Sequence, residues 1–276
     1  MKPRPFDYVR PDTVEEALAL LGEYGDGARI LAGGQSLVPM LNLRIVEAEA
    51  LIDVSRIAAL DAVRDLGTRI EIGAAVTQNT LLAWPRLKEK LPLVAAALPH
   101  VGHFQTRNKG TVCGSIAHAD PSSELPLALA VLGGEIVLKS QRGERVLAAK
   151  NFQKDMLTTA RAGDELITAV RFPVANGKGN GRGVAFHEVT RRHGDFAIIA
   201  VAAVAENKNA VQLGVGGMAG KPMLRQIAAD CAEEAVREWA DELEGYEDLH
   251  ASAAMRRDLF RNLAPLVIKE ALRCAA

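Results

Sequence analysis

Ile30-Leu31-Ala32-Gly33-Gly34-Gln35-Ser36-Leu37-Val38 reads as an apolar strand, two consecutive glycines, two polar residues and the opening of a helix near Ser36. Glycines let the main chain approach a diphosphate and aim successive amides at its oxygens, and a helix starting there adds more free amides. An ordinary tight turn has the same letters, so both readings stay open at this point. The stretch is no Walker loop, because Gly-Lys-Ser/Thr does not follow, and it is not G-x-G-x-x-G. Upstream, Thr13-Val14-Glu15-Glu16 has the form of a capping box. Val14, Ala17, Leu18 and Leu21 then recur at helical spacing, and Gly25 with Gly27 ends that helix before a strand over Arg29–Ala32. Downstream, Ala50–Val54 and Arg69–Gly73 carry β-branched residues between turn signals. Strand, turn and helix alternate as in a small α/β or α+β lobe.

The pattern changes at Gly133. Glu135–Lys139 and Arg145–Ala148 pair around Gln141-Arg142-Gly143, and Glu165–Phe172 adds a further strand. The glycine-rich stretch Asn176 to Gly183 lacks apolar anchors and suits a domain boundary or a long hairpin loop. Three strands follow, Val184–Thr190, Phe196–Ala205 and Ala210–Gly216, with Asn207-Lys208-Asn209 as a tight turn. Two helices, about Ile227–Leu243 and Ala251–Leu272, close the chain. The fold expected is α+β. A bilobal domain over 1–175, with lobes of about 1–58 and 59–175, precedes a domain over 176–276 built from a three-stranded antiparallel sheet covered by helices.

A net charge of -1 supplies no basic field for a nucleic-acid backbone. The N-terminus has basic residues with no apolar run behind them, and no stretch approaches the roughly 20 apolar residues of a membrane span. The cytoplasm is the expected location. Cys113, Cys231 and Cys274 form no C-x-x-C pair and cannot supply the thiolates of a cluster or a structural zinc. Any metal chemistry belongs to a partner.

A second polar stretch runs from Asn108 to Pro126: Asn-Lys-Gly-Thr-Val-Cys-Gly-Ser-Ile-Ala-His-Ala-Asp-Pro-Ser-Ser-Glu-Leu-Pro. It reads as a long loop with little room for a standard helix or strand, and such loops in compact domains are usually functional. The Thr111 and Ser115 hydroxyls with nearby amides suit a diphosphate, while Asp120 or Glu124 suits the hydroxyls of a ribityl or ribose chain. An ornate connector that satisfies its own backbone is the alternative. His100, His103 and His118 have no metal-ligand spacing and are read as structural.

Together, Ala32-Gly33-Gly34-Gln35-Ser36-Leu37 and Thr111 to Pro126 resemble the FAD-binding subunit, or domain, of the molybdenum hydroxylases, the group of xanthine dehydrogenase and carbon monoxide dehydrogenase. Pro5 to Pro11 and Arg191-Arg192-His193-Gly194-Asp195-Phe196-Ala197 match as well, in order, through almost the whole chain. The resemblance implies that Ile30, Leu31, Ala32, Gly33, Gly34, Gln35, Ser36, Leu37 and Val38 wrap the FAD diphosphate together with Thr111, Val112, Cys113, Gly114 and Ser115. It places Glu124 at a carboxylate position that contacts FAD, and Val101, Leu166 and Ile167 at apolar contacts to it. His187 falls where some relatives have a lysine beside the flavin, and a flavin-tuning histidine and a plain strand histidine stay open. Cys113 stands where the family usually has glycine. If the position needs positive φ the cysteine is strained, and otherwise its thiol lines the FAD pocket. Arg192 and Asp195 suit an ion pair at a strand bend, and Phe196 suits the core.

The resemblance also implies a large molybdenum subunit and a small [2Fe-2S] subunit as partners, in a dimer of heterotrimers. This chain would take electrons from the clusters and give them to an external acceptor, with no catalytic acid, base or nucleophile and no metal of its own. A stand-alone flavin oxidoreductase and a cofactor-free scaffold subunit are the alternatives.

Overall fold

The computed structural model describes residues 1–174 and 182–275. Asn176 to Gly181, most of the glycine-rich stretch, lie outside them, as does the expected boundary at 175/176. The chain is a mixture of helix and sheet. Strands β1 (Asp7–Val9), β2 (Ala28–Leu31) and β3 (Ala50–Asp53) form a parallel sheet in the order β1-β3-β2. Helix α1 (Val14–Tyr24) covers it with Val14, Ala17, Leu18 and Leu21. Its capping box is formed, Thr13 accepting from the Glu16 amide and the Glu16 carboxylate accepting from the Thr13 amide, and Gly25 ends it with φ +50°. The glycine bend follows β2 at the carboxyl edge of parallel strands, where open α/β sheets hold their ligands.

The second sheet is antiparallel. Its strands are β4 (Val63–Asp65), β5 (Arg69–Gly73), β6 (Glu135–Ser140), β7 (Gly143–Ala148) and, after the small β8/β9 pair (Gln153–Asp155 and Thr158–Thr159), β10 (Leu166–Pro173). The order is β4-β5-β10-β6-β7. One continuous apolar cluster, from Val14 through Ile72, Cys113 and Leu138 to Val174, lies beneath both sheets.

The C-terminal sheet has four strands, one more than expected: β11 (Gly183–Val189), β12 (Ile199–Ala205), β13 (Ala210–Gly216) and β14 (Met223–Ala228), an antiparallel meander. The segment from Ile227 that had been assigned to a helix is the end of β14, which pairs with β13 along Met223–Ala228. All seven residues of β12 are buried because both sheet faces are covered. On one face lie the two closing helices, Ala232–Glu242 and Ala253–Cys274. On the other lie the short helix Pro92–Ala97 and the helix Glu124–Val131, apolar on all sides after Glu124 and buried throughout.

The polar stretch after Asn108 is not a plain loop. It holds a two-turn helix, Val112–His118, capped by Thr111 and stopped by Ala119 in the left-handed conformation (φ +55°), and it runs into Glu124–Val131. One short polar side chain at the cap and a glycine at its third helical position suffice for a helix that composition alone conceals.

Candidate functional site

The two bends touch. A Cβ on Gly33 would overlap the Lys109 carbonyl oxygen and lie 2.7 Å from the Gly110 Cα, so only glycine lets the backbones meet. The second bend is held from below by the segment after β5. Gln78 donates its amide to the Gly110 carbonyl at 2.8 Å, Val112 donates to the Val76 carbonyl at 3.2 Å, and Thr77 bridges to Thr111.

On the first bend Gly34 takes φ +69°, and helix α2 (Leu37–Asn42) starts from Ser36, whose hydroxyl makes no capping bond. Among the described residues, the amides of Gly34, Gln35 and Ser36 have no acceptor. Three consecutive unsatisfied amides beside a close backbone approach form a concavity suited to an anion. On the second bend Thr111 Oγ1 accepts from the Gly114 amide at 2.9 Å. That amide is therefore occupied, and a Cβ on Gly114 would stand 2.7 Å from the same oxygen. Gly114 preserves the cap of its own helix, and the Thr111 hydroxyl proton remains to be donated. The residues present thus fit a diphosphate linker.

Cys113 is helical, 3% exposed, and its Sγ lies 3.4 Å from the Ile72 carbonyl oxygen. Burial pushes its thiol far above the ordinary range. Its φ is not positive, so the position carries no backbone strain, and the thiol packs in the apolar core. Val101, Leu166 and Ile167 belong to that same core. Ser115 is half-buried, and Asp120 Oδ1 accepts from the Ser122 amide at 2.8 Å in a local turn.

The strand period separates two neighbours on β11. His187 faces the terminal helix, where Nε2 lies 2.7 Å from Glu270 Oε2. Phe186 and Glu188 face the other way. Glu188 Oε1 lies 3.2 Å from His100 Nδ1, and the rings of His100 and Phe186 tilt together with centroids 5.3 Å apart. The contact agrees with a structural role for His100, and the alternation of β11 is the signal in the residues that sends Glu188 to that face. Glu124 lies in the same junction. Burial pushes its carboxyl up to about 8, and the nearby charges of Glu188 and Asp120 reinforce that shift. The hydrogen bond to Glu188 raises the His100 imidazole against the opposing effect of burial.

Phe196 is 59% exposed, not a core residue. The turn before it is tight: Arg192 Nε donates to both Asp195 oxygens at 3.0 and 3.1 Å, and Gly194 takes φ +84°. A Cβ there would press on the His103 ring, which also approaches the His193 ring at 6.0 Å between centroids. The turn therefore leans on the segment that leads into the second bend. Among the described residues, no group of three or more His, Cys, Asp or Glu is placed to hold a metal ion, and no helix is long and apolar enough to cross a membrane.

Residues 4–175 match the family model described as the FAD binding domain in molybdopterin dehydrogenase. The glyceraldehyde dehydrogenase medium chain of Sulfolobus acidocaldarius is 32% identical across 98% of this chain and 99% of its own. The 6-hydroxypseudooxynicotine dehydrogenase complex subunit alpha of Paenarthrobacter nicotinovorans is 40% identical over 74% of this chain and 68% of its own. A carbon monoxide dehydrogenase from Hydrogenophaga pseudoflava, solved in a form lacking the Mo-pyranopterin moiety of its molybdenum cofactor, superposes with a TM-score of 0.93 at 29% identity, covering both chains completely. With a bend pair suited to a diphosphate and relatives matched end to end, this chain belongs to the FAD-binding medium subunits of the molybdenum hydroxylases, which are oxidoreductases.

Proposed function

We propose that this chain holds one FAD between Ile30–Val38 and Thr111–Ser115 and passes electrons from the [2Fe-2S] clusters of a small partner subunit to an external acceptor. The bound flavin supplies a centre that supports one-electron and two-electron steps. The chain's own work is to grip and orient it. The amides of Gly34, Gln35 and Ser36 would donate to the diphosphate, the Thr111 hydroxyl would add a donor, and Glu124 would face the cofactor from the start of its helix. A large molybdenum subunit would act on the organic substrate, in a cytoplasmic dimer of heterotrimers. Residues 1–175, in lobes of about 1–58 and 59–175, would form the FAD-binding domain and 176–276 the C-terminal domain. The relatives' description as medium chains of dehydrogenases supports this arrangement.

The observation that carries the reading is the backbone contact between Gly33 and Lys109–Gly110, with acceptor-free amides beside it. Gly33→Val tests it. The added side chain forces the bends apart, so the purified complex should lose FAD by tenfold or more in affinity, read from its flavin absorbance and stoichiometry. A variant with full flavin content would remove these bends from the site. Electron delivery is tested separately, by adding acceptors of different classes to the substrate-reduced complex and following flavin reoxidation.

A further inference from the structure

The two-turn helix Val112–His118 starts at the second bend, and its other end is tied to the C-terminal sheet. It stops at Ala119, whose left-handed backbone leads into Pro121, Ser122 and Ser123, all buried. Two straps reach this stop. The first is Gln153 of β8, 6% exposed. Its Nε2 donates to the Ala119 carbonyl at 2.7 Å and to the carbonyl of Gly220, in the turn between β13 and β14, at 3.1 Å. Its Oε1 is shut off from solvent with no partner among the described residues, so all its hydrogen bonding runs through the donor.

The second strap begins at Arg256 in the closing helix Ala253–Cys274, 1% exposed. Nη1 donates to the Ile198 carbonyl and, at 2.9 Å, to the Gly217 carbonyl, and Nη2 donates to Asp248 Oδ2 at 2.6 Å. Gly217 carries the contact onward, its amide donating to the Pro121 carbonyl at 2.9 Å. The guanidinium also lies over the Tyr246 ring, 4.1 Å from its centroid, and the Tyr246 hydroxyl stands 3.3 Å from Ser122 Oγ. Both straps therefore end on the same few residues, Ala119 to Ser122.

We propose that Gln153 and Arg256 are positioning residues for the cofactor: they fix the far end of Val112–His118 and so the place of Thr111 at its near end. This rests on the reading that the two bends hold the FAD diphosphate, and it extends the grip past residue 175, where the family match stops. The near end is held by two bonds to one neighbouring segment, Gln78 N to the Gly110 carbonyl and Val112 N to the Val76 carbonyl. Those bonds set where the helix starts, and the far end sets its tilt. A helix this short, about 10 Å long, moves as one piece, so a shift at Ala119 reaches the bend.

The test is FAD affinity of the purified complex, read from flavin fluorescence, with the visible circular dichroism of the bound flavin and the urea midpoint followed beside it. Gln153→Leu removes one strap and should weaken FAD about fivefold and alter the dichroism. Gln153→Glu restores a donor only while protonated. Its FAD affinity should fall about tenfold from about pH 5 to about pH 8, a dependence that the unmodified protein lacks. Arg256→Met strips three acceptors at once and can unfold the sheet, so Tyr246→Phe and Ser122→Ala test that strap instead. Each should weaken FAD about threefold, and the double variant should be no weaker than either single one. Unchanged affinity and dichroism in Gln153→Leu, with only the urea midpoint lowered, would overturn the proposal, as would additive losses in the Tyr246 and Ser122 pair. If Gly33→Val loses FAD while the strap variants keep theirs, the straps alone fail; if Gly33→Val keeps it, the reading of the bends fails.

Discussion

Glu165 and Glu124 are hidden almost equally, at 5% and 4% exposure, but the chain treats them in opposite ways. Glu165 sits just before β10 and receives Arg145 as a two-pronged partner, Nε at 2.5 Å and Nη2 at 2.7 Å, plus the Ala162 amide at 2.7 Å. The bond from Arg145 draws its carboxyl below the usual range, although burial pushes the other way. Glu124 has no such cation, faces further carboxylates, and is raised instead. Burial with a fork of donors makes a structural clamp. Burial without one favours the neutral acid.

Removing the fork should have the largest effect on stability. Arg145→Met leaves Glu165 buried with its amide alone and should cost about 2 kcal/mol in urea unfolding, below the full penalty for breaking a buried pair because Arg145 is half-exposed. Flavin content should stay unchanged; a flavin loss without unfolding would erase the distinction between clamp and junction. Glu124→Leu should do the reverse, raising stability by about 1 kcal/mol as a lone buried acid disappears, while weakening FAD. A destabilised variant with normal flavin would invert the comparison.

The two residues also predict opposite pH limbs of stability. Glu165, lowered on folding, contributes above its unfolded pKa, and that contribution is lost as pH falls through the folded value. Glu124 and His100, both raised on folding, contribute fully below their unfolded values and lose that contribution as pH rises; for Glu124 the loss runs up to about 8. The melting temperature should therefore form a dome. Glu124→Gln should flatten its alkaline side and Glu165→Gln its acid side. The smallest effect belongs to His187→Gln. Its pairing with Glu270 is exposed on both partners, so the change should stay within about 0.5 kcal/mol by the same unfolding measurement.

Much of the frame was legible in the residues because its signals are local. The capping box at Thr13, the hairpin at Gln141–Gly143 and the apolar run of β12 each carry their meaning within a few positions. What was missed depends on neighbours distant in sequence. Ile227 and Ala228 read as the start of a helix until β13 lies beside them, and Met223–Gln226 carries no strand signal of its own. Phe196 begins an apolar run, yet the Gly194 turn against His103 turns it out to solvent. The glycines of the bends are visible in the sequence, whereas nothing near Cys113 reveals the Ile72 carbonyl that receives its thiol. His100, Glu124 and Glu188 share no motif at all, and only the packing of β11 on the first half unites them.

Gly33 resting on Lys109–Gly110 has a mechanical consequence. At that spot the parallel sheet meets the second bend main chain to main chain. A nucleotide lodged across the seam would act as a rivet, and amide hydrogen exchange in β2 and β3 should slow on reconstitution far more than in β12, which is sealed on both faces whether or not the rivet is in place.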